Sequence, residues 1–193
     1  MSANRTVSAA RSMPAALLQS VILTVLFTAL GVSLPVIFHR LGIPSLRFSP
    51  MHFPVLLASF LLGPASGAFI GAASVLISTF LTGMPVVFPT GIAMMFELAV
   101  YGIFASVFHR KMFSAKKSYT ALLASLILAM ILGRLVNGAV QTVIALLSSA
   151  KYSFPQFWNS CFVVSLPGIL AQIVILPLAA FGILKSEILE RKE

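Results

Sequence analysis

The chain has 193 residues, 59% hydrophobic and 9% charged, with a mean hydropathy of +1.05, more apolar surface than a soluble core of this size can hide. Thirteen Lys and Arg against four acidic residues give +9; in a soluble protein that balance points to nucleic acid, but these charges fall between apolar runs, where they act as topology signals and set nucleic-acid binding aside. Cys161 is the single cysteine and lies in an apolar run, which excludes a disulfide framework and a thiolate metal cluster.

Apolar segments fall at about 15–38, 51–62, 65–82, 92–108, 119–147 and 156–184, against the roughly 20 residues a helix needs to cross hydrocarbon. Ahead of the first, Arg5 and Arg11 resemble the start of a signal peptide, but 24 apolar residues exceed the roughly 7–15 of a signal core. The segment is expected to remain as the first span. The second has twelve residues before Gly63-Pro64, about 18 Å of helix, short enough for a re-entrant stub.

Charge placement decides the count. With all six crossing, Arg5, Arg11, Arg110, Lys111, Lys116, Lys117, Lys185, Arg191 and Lys192 share one side, and Arg40, Arg47 and Lys151 the other. Folding segments two and three into a single crossing would put the 110–117 charges outside, against the positive-inside tendency. The expectation is therefore an all-α polytopic membrane protein with six transmembrane helices. Tails 1–14 and 185–193 are cytoplasmic and flank a membrane domain at 15–184. Gly63-Pro64 becomes a cytoplasmic turn, with Pro64 opening the third helix, where its missing N–H costs little. The external connections at 40–50, 83–91 and 148–155 hold Pro44, Pro50, Pro85, Pro89 and Pro155, which reduce the freedom a loop loses on closing over a ligand.

In the third segment Gly67-x-x-x-Gly71 and Ala68-x-x-x-Ala72 form small-residue faces, and the first segment adds Ala29-x-x-x-Ser33. Such faces serve either packing within the bundle or docking to another membrane subunit. Two ionisable residues lie within spans, Glu97 in "MMFELAVYG" and Arg134 in "ILGRLVNGAVQT". Facing lipid would be costly, so both should face the bundle interior, each other or a polar ligand. Arg134, Asn137 and Gln141 share one helical stripe. Tyr101 lies one turn beyond Glu97, and Asn159 and Gln172 of the sixth segment can face the stripe. Taken singly these amides suit interhelical hydrogen bonds; as a set they outline a substrate pocket. His52, between Pro50 and Pro54, either caps a helix or touches ligand. Trp158 and Tyr152 either belong to an interfacial belt or stack on ligand. Met51 with His52 is too small a ligand set for a metal, and neither metal nor cofactor is expected. The chain carries no G-x-x-x-x-G-K-[ST], H-E-x-x-H or G-x-S-x-G, which argues against an enzyme.

"SPMHFPVLLASFLLGPASGAFIG", "LTGMPVVFP", "MMFELAVYG" and "ILGRLVNG", in that order and spacing, resemble the substrate-binding S components of energy-coupling factor (ECF) vitamin transporters, the group that includes pantothenate- and folate-type proteins. The resemblance runs from the first segment to the sixth. It implies a six-helix protein that captures a water-soluble vitamin in an outward-facing pocket made by external loops and helices four to six. It also implies a membrane scaffold (T) subunit and two cytosolic ATPases as partners, and a bacterial cytoplasmic membrane as location. The family often carries A-x-x-x-A in helix one as part of its scaffold-facing surface; here "TVLFTALGVSLP" offers Val25-x-x-x-Ala29 or Ala29-x-x-x-Ser33. Arg134 beside amides suits a carboxylate-bearing vitamin such as pantothenate. If Glu97 neutralises it, neutral vitamins fit as well, so folate-, pyridoxine- and riboflavin-like ligands stay open. The rival readings are a self-sufficient proton-coupled transporter or small channel using Glu97, and a structural membrane protein without a ligand.

Overall fold

A computed structural model describes residues 15–115, 119–148 and 153–190. The expected N-terminal tail, the cations Lys116, Lys117, Lys151, Arg191 and Lys192, and Tyr152 lie outside the described residues. The described chain is helical, without strands, and six of its stretches are long and apolar enough to cross a membrane. Its helices are α1 (Ala15–Arg40), α2 (Ser45–Phe48), α3 (His52–Leu62), α4 (Pro64–Thr82), α5 (Ile92–Ala115), α6 (Tyr119–Ser148), α7 (Phe154–Trp158) and α8 (Leu166–Glu190). α8 thus continues through most of the stretch expected as a tail.

Glycine sets how closely the central helices approach. A Cβ at Gly71 would lie 2.5 Å from the Leu98 carbonyl oxygen, and one at Gly102 would lie 2.2 Å from the Gly67 carbonyl carbon. α4 and α5 therefore cross backbone to backbone. On the other side of α5, Gly133 of α6 leaves room for the Tyr101 ring, which a Cβ there would meet at 2.1 Å. Around these crossings Leu56, Ile70, Leu98, Leu122, Leu126 and Leu176 belong to the hydrophobic core. α1 lies at its edge, contributing Phe27, and is the least buried of the six spans, with Gly31 against Ser74 of α4.

The turn between α3 and α4 holds Gly63 at φ +105, a conformation that favours glycine. Pro64 opens α4 as expected, and the Arg110 guanidinium of α5 rests against Gly63. Two of the spans depart from single unbroken helices. The second starts with α2, passes Ser49 in the left-handed region (φ 47) and resumes as α3. With α2 included the span covers Ser45–Leu62, which relieves the shortness of 51–62. The expected run 156–184 is not one helix: α7 passes into a π turn at Asn159–Val164 before α8 begins at Leu166. Pro167 lies in the first turn of α8, where it has no N–H to give a preceding helical carbonyl. A second π turn, Val87–Gly91, precedes α5 within the expected 83–91 loop, whose Met84-Pro85 and Phe88-Pro89 bonds are cis.

The alternating helices bring the end of α1, α2, the start of α3, the start of α5, the end of α6 and α7 to one end of the bundle, here termed the site end.

Candidate functional site

Glu97 sits just over one turn into α5 and is 4% exposed. Four polar side chains converge on its carboxylate. Tyr101 Oη, one turn along the same helix, donates to Oε1 at 2.8 Å. Asn137 Nδ2 of α6 donates to Oε2 at 2.6 Å, and Gln141 Nε2 donates to Asn137 Oδ1 at 2.5 Å. Arg134 Nε lies 3.4 Å from Oε1, and His52 Nε2 of α3 lies 3.8 Å from the same oxygen. The spacing of Arg134, Asn137 and Gln141 on α6 matches the antiparallel descent of α5, so one carboxylate links α3, α5 and α6. The His52 ring packs against the Tyr101 ring at 5.4 Å between centroids.

Hydrogen bonding in this cluster is incomplete. Arg134 Nε and His52 Nδ1 are buried and have no hydrogen-bond partner among the described residues. Arg134 Nε faces Glu97 at 3.4 Å, too long for a good hydrogen bond, while the His52 nitrogen nearest the carboxylate is Nε2, not the unpartnered Nδ1. Leaving such groups unmade while buried is costly.

An aromatic wall stands beside the cluster. The π turn at Asn159–Val164 turns the Cys161 carbonyl toward α6, where it accepts from Arg134 Nη1 and from Ser165 Oγ. The Phe162 ring lies 5.9 Å from the Arg134 guanidinium carbon and stacks on Trp158 at 4.5 Å. Phe157 packs over Gly138, where a Cβ would meet its ring at 2.8 Å.

Six of the eight residues expected to bind substrate thus meet in one network: Glu97, Tyr101, Arg134, Asn137, Gln141 and His52. Asn159 and Trp158 are exposed on the π segment and its approach, with Trp158 touching the site through Phe162. Gln172 is fully buried in α8, with neither amide atom hydrogen-bonded among the described residues. Of the residues expected to dock a partner, Gly67 and Gly71 face α5 inside the bundle, not outward, because the α4–α5 crossing uses them. Ala68, Ala72 and Ser33 are half-buried, and Ala29 is exposed. Sequence reasoning missed Gly133, Gly138, Phe162 and the Cys161 carbonyl. The glycines on either side of Arg134 and Asn137 in "ILGRLVNG" were the available signal. Among the described residues no group of three or more His, Cys, Asp or Glu is placed to hold a metal.

No curated protein and no solved structure matches the chain. The family model for the ECF transporter substrate-specific component matches residues 19–188, nearly all of the six-span region that holds the Glu97 network. The chain belongs to that family: it is the substrate-specific component of an ECF transporter, a multi-pass membrane protein and a transporter subunit.

Proposed function

We propose that this chain captures a water-soluble vitamin or related micronutrient from outside a bacterial cell at the Glu97 network, and that a T subunit and two ATPases drive its uptake across the cytoplasmic membrane. Both termini face the cytoplasm in this reading, and the site end faces out. The supporting observation is the incompletely satisfied network itself. A purely structural tie between α5 and α6 needs only Glu97 and Arg134. Here α3 and α6 together direct four side chains at or beside one carboxylate, yet two buried nitrogens, Arg134 Nε and His52 Nδ1, stay without hydrogen-bond partners among the described residues. A polar ligand supplies what is missing. Arg134, Asn137, Gln141, Glu97, Tyr101 and His52 act as first contacts, with Asn159 and Trp158 at the rim. Partner docking falls to the outer face of α1 around Ala29 and Ser33, bordered by Ala68 and Ala72 on α4.

The test is uptake in proteoliposomes holding the chain with its T subunit and ATPases. Labelled vitamin should enter only with ATP, and Glu97→Gln should abolish entry. Uptake by the chain alone under a proton gradient would establish the secondary-transporter reading instead.

A further inference from the structure

We infer that the substrate is a flat heterocycle whose edge presents two adjacent hydrogen-bond donors followed by an acceptor, the pattern of a 2-amino-4-oxopyrimidine ring. The inference rests on the proposed capture of a small molecule at Glu97 and specifies its chemistry.

Three features of the site lead there. First, a buried carboxylate takes two parallel N–H donors from one planar edge. Asn137 now donates to Glu97 Oε2, and its carbonyl already accepts from the half-buried Gln141. An incoming edge can therefore replace the Asn137 amide on Oε2 while Tyr101 keeps its bond to Oε1. Second, the unpartnered Arg134 Nε lies beside Oε1, with the imidazole of His52 close by. A donating nitrogen in that position calls for an acceptor next to the two donors. Third, the Phe162 ring lies 5.9 Å from the Arg134 guanidinium carbon and carries the Trp158 indole stacked upon it. A flat ring bound beside Arg134 can join this aromatic stack at its edge.

The same geometry disfavours an aliphatic acid. Arg134 gives Nη1 to the Cys161 carbonyl and turns Nε toward Glu97, so its two-pronged edge is not open to a substrate carboxylate. Glu97 would also repel that carboxylate in a region of low dielectric.

The experiment uses the full chain in detergent and equilibrium dialysis with pterin, guanine, lumazine, pyridoxine and pantothenate. Lumazine has the pterin ring system but replaces the 2-amino donor with a carbonyl. Pterin and guanine should bind, lumazine at least about ten-fold more weakly than pterin, because an unmatched acceptor then faces Glu97. Phe162→Leu should weaken pterin by about ten-fold, and Glu97→Gln should erase the preference for pterin over lumazine. The chain's single tryptophan, Trp158, should change its emission on binding. The lumazine comparison needs no variant, so it stands even if Glu97→Gln fails to fold. Equal binding of pterin and lumazine overturns the assigned edge. Pantothenate binding as tightly as pterin, lost in Glu97→Gln, overturns this inference and leaves capture at Glu97 intact. Binding of none of the five overturns this inference and leaves capture at Glu97 to the uptake test.

Discussion

The Glu97–Arg134 pair concentrates the cost of the site in two side chains. Arg134→Met removes the cation and leaves a carboxylate at 4% exposure with Tyr101 and Asn137 as its remaining hydrogen-bond donors. Breaking one side of a buried pair costs about 3–5 kcal/mol, so the melting temperature in detergent should fall sharply. Adding Glu97→Gln removes the stranded charge and should restore most of that loss. Ligand affinity should stay lost in the double variant. A double variant that binds like the parent would assign both residues to structure alone. These two residues were legible in the sequence because an ionisable group in an apolar run is conspicuous. The Cys161 carbonyl that holds Arg134 was not, since every residue carries a carbonyl and only the π turn directs this one. Gly133 was visible as a glycine, but the need for it arises from the Tyr101 ring across the helix interface.

Among the elements, the α4–α5 crossing is the place where added volume has nowhere to go. Gly102→Ala puts a methyl 2.2 Å from the backbone of α4, whereas a Cβ at Gly182 in α8 meets nothing within 4 Å. Gly102→Ala should therefore lower the melting temperature strongly. Gly182→Ala should leave it unchanged or raise it, by up to about 1 kcal/mol of helix propensity. Gly71→Leu should reduce stability and ligand binding together, because Leu98 lies one residue from Glu97 and must move. A Gly71→Leu protein with normal binding and melting but impaired uptake in the full complex would move this face to partner docking. The six spans were legible from length and charge alone. Their interruptions were not. In a run where every face is apolar, periodicity cannot separate a straight helix from one broken by a π turn, and only Pro167 marked the break before α8.

For the molecule as a whole, orientation carries the consequence for capture: the site end must face the medium. In a Cys161→Ser background, Leu46→Cys on exposed α2 and Lys111→Cys near the end of α5 report the two ends. A membrane-impermeant maleimide added to intact cells should label the first and reach the second only after permeabilisation. The reverse pattern would put the site inside and end the import reading. Six crossings and the excess of cations at one end supported this arrangement from sequence. The tilt that brings His52 of α3 to the carboxylate of α5 was not legible, because it depends on how α3 packs against both α5 and α8.

The position of α1 at the edge of the core has an evolutionary counterpart. Val21, Ile22, Val25, Leu26 and Leu30 are exposed, and in a bilayer such positions ask only for an apolar side chain. Leu, Ile, Val and Phe are interchangeable there at little cost. At Gly67, Gly71, Gly102 and Gly133 a Cβ would meet other atoms within 3 Å, so one residue type fits. Mutational drift in this lineage will be lopsided: the lipid-facing positions of α1 away from the docking face around Ala29 and Ser33 will exchange one hydrocarbon for another freely, while the inner glycines and the polar residues around Glu97 hold still. Two descendants with the same substrate can then share little of their letters, and what they inherit in common will lie on the faces turned inward.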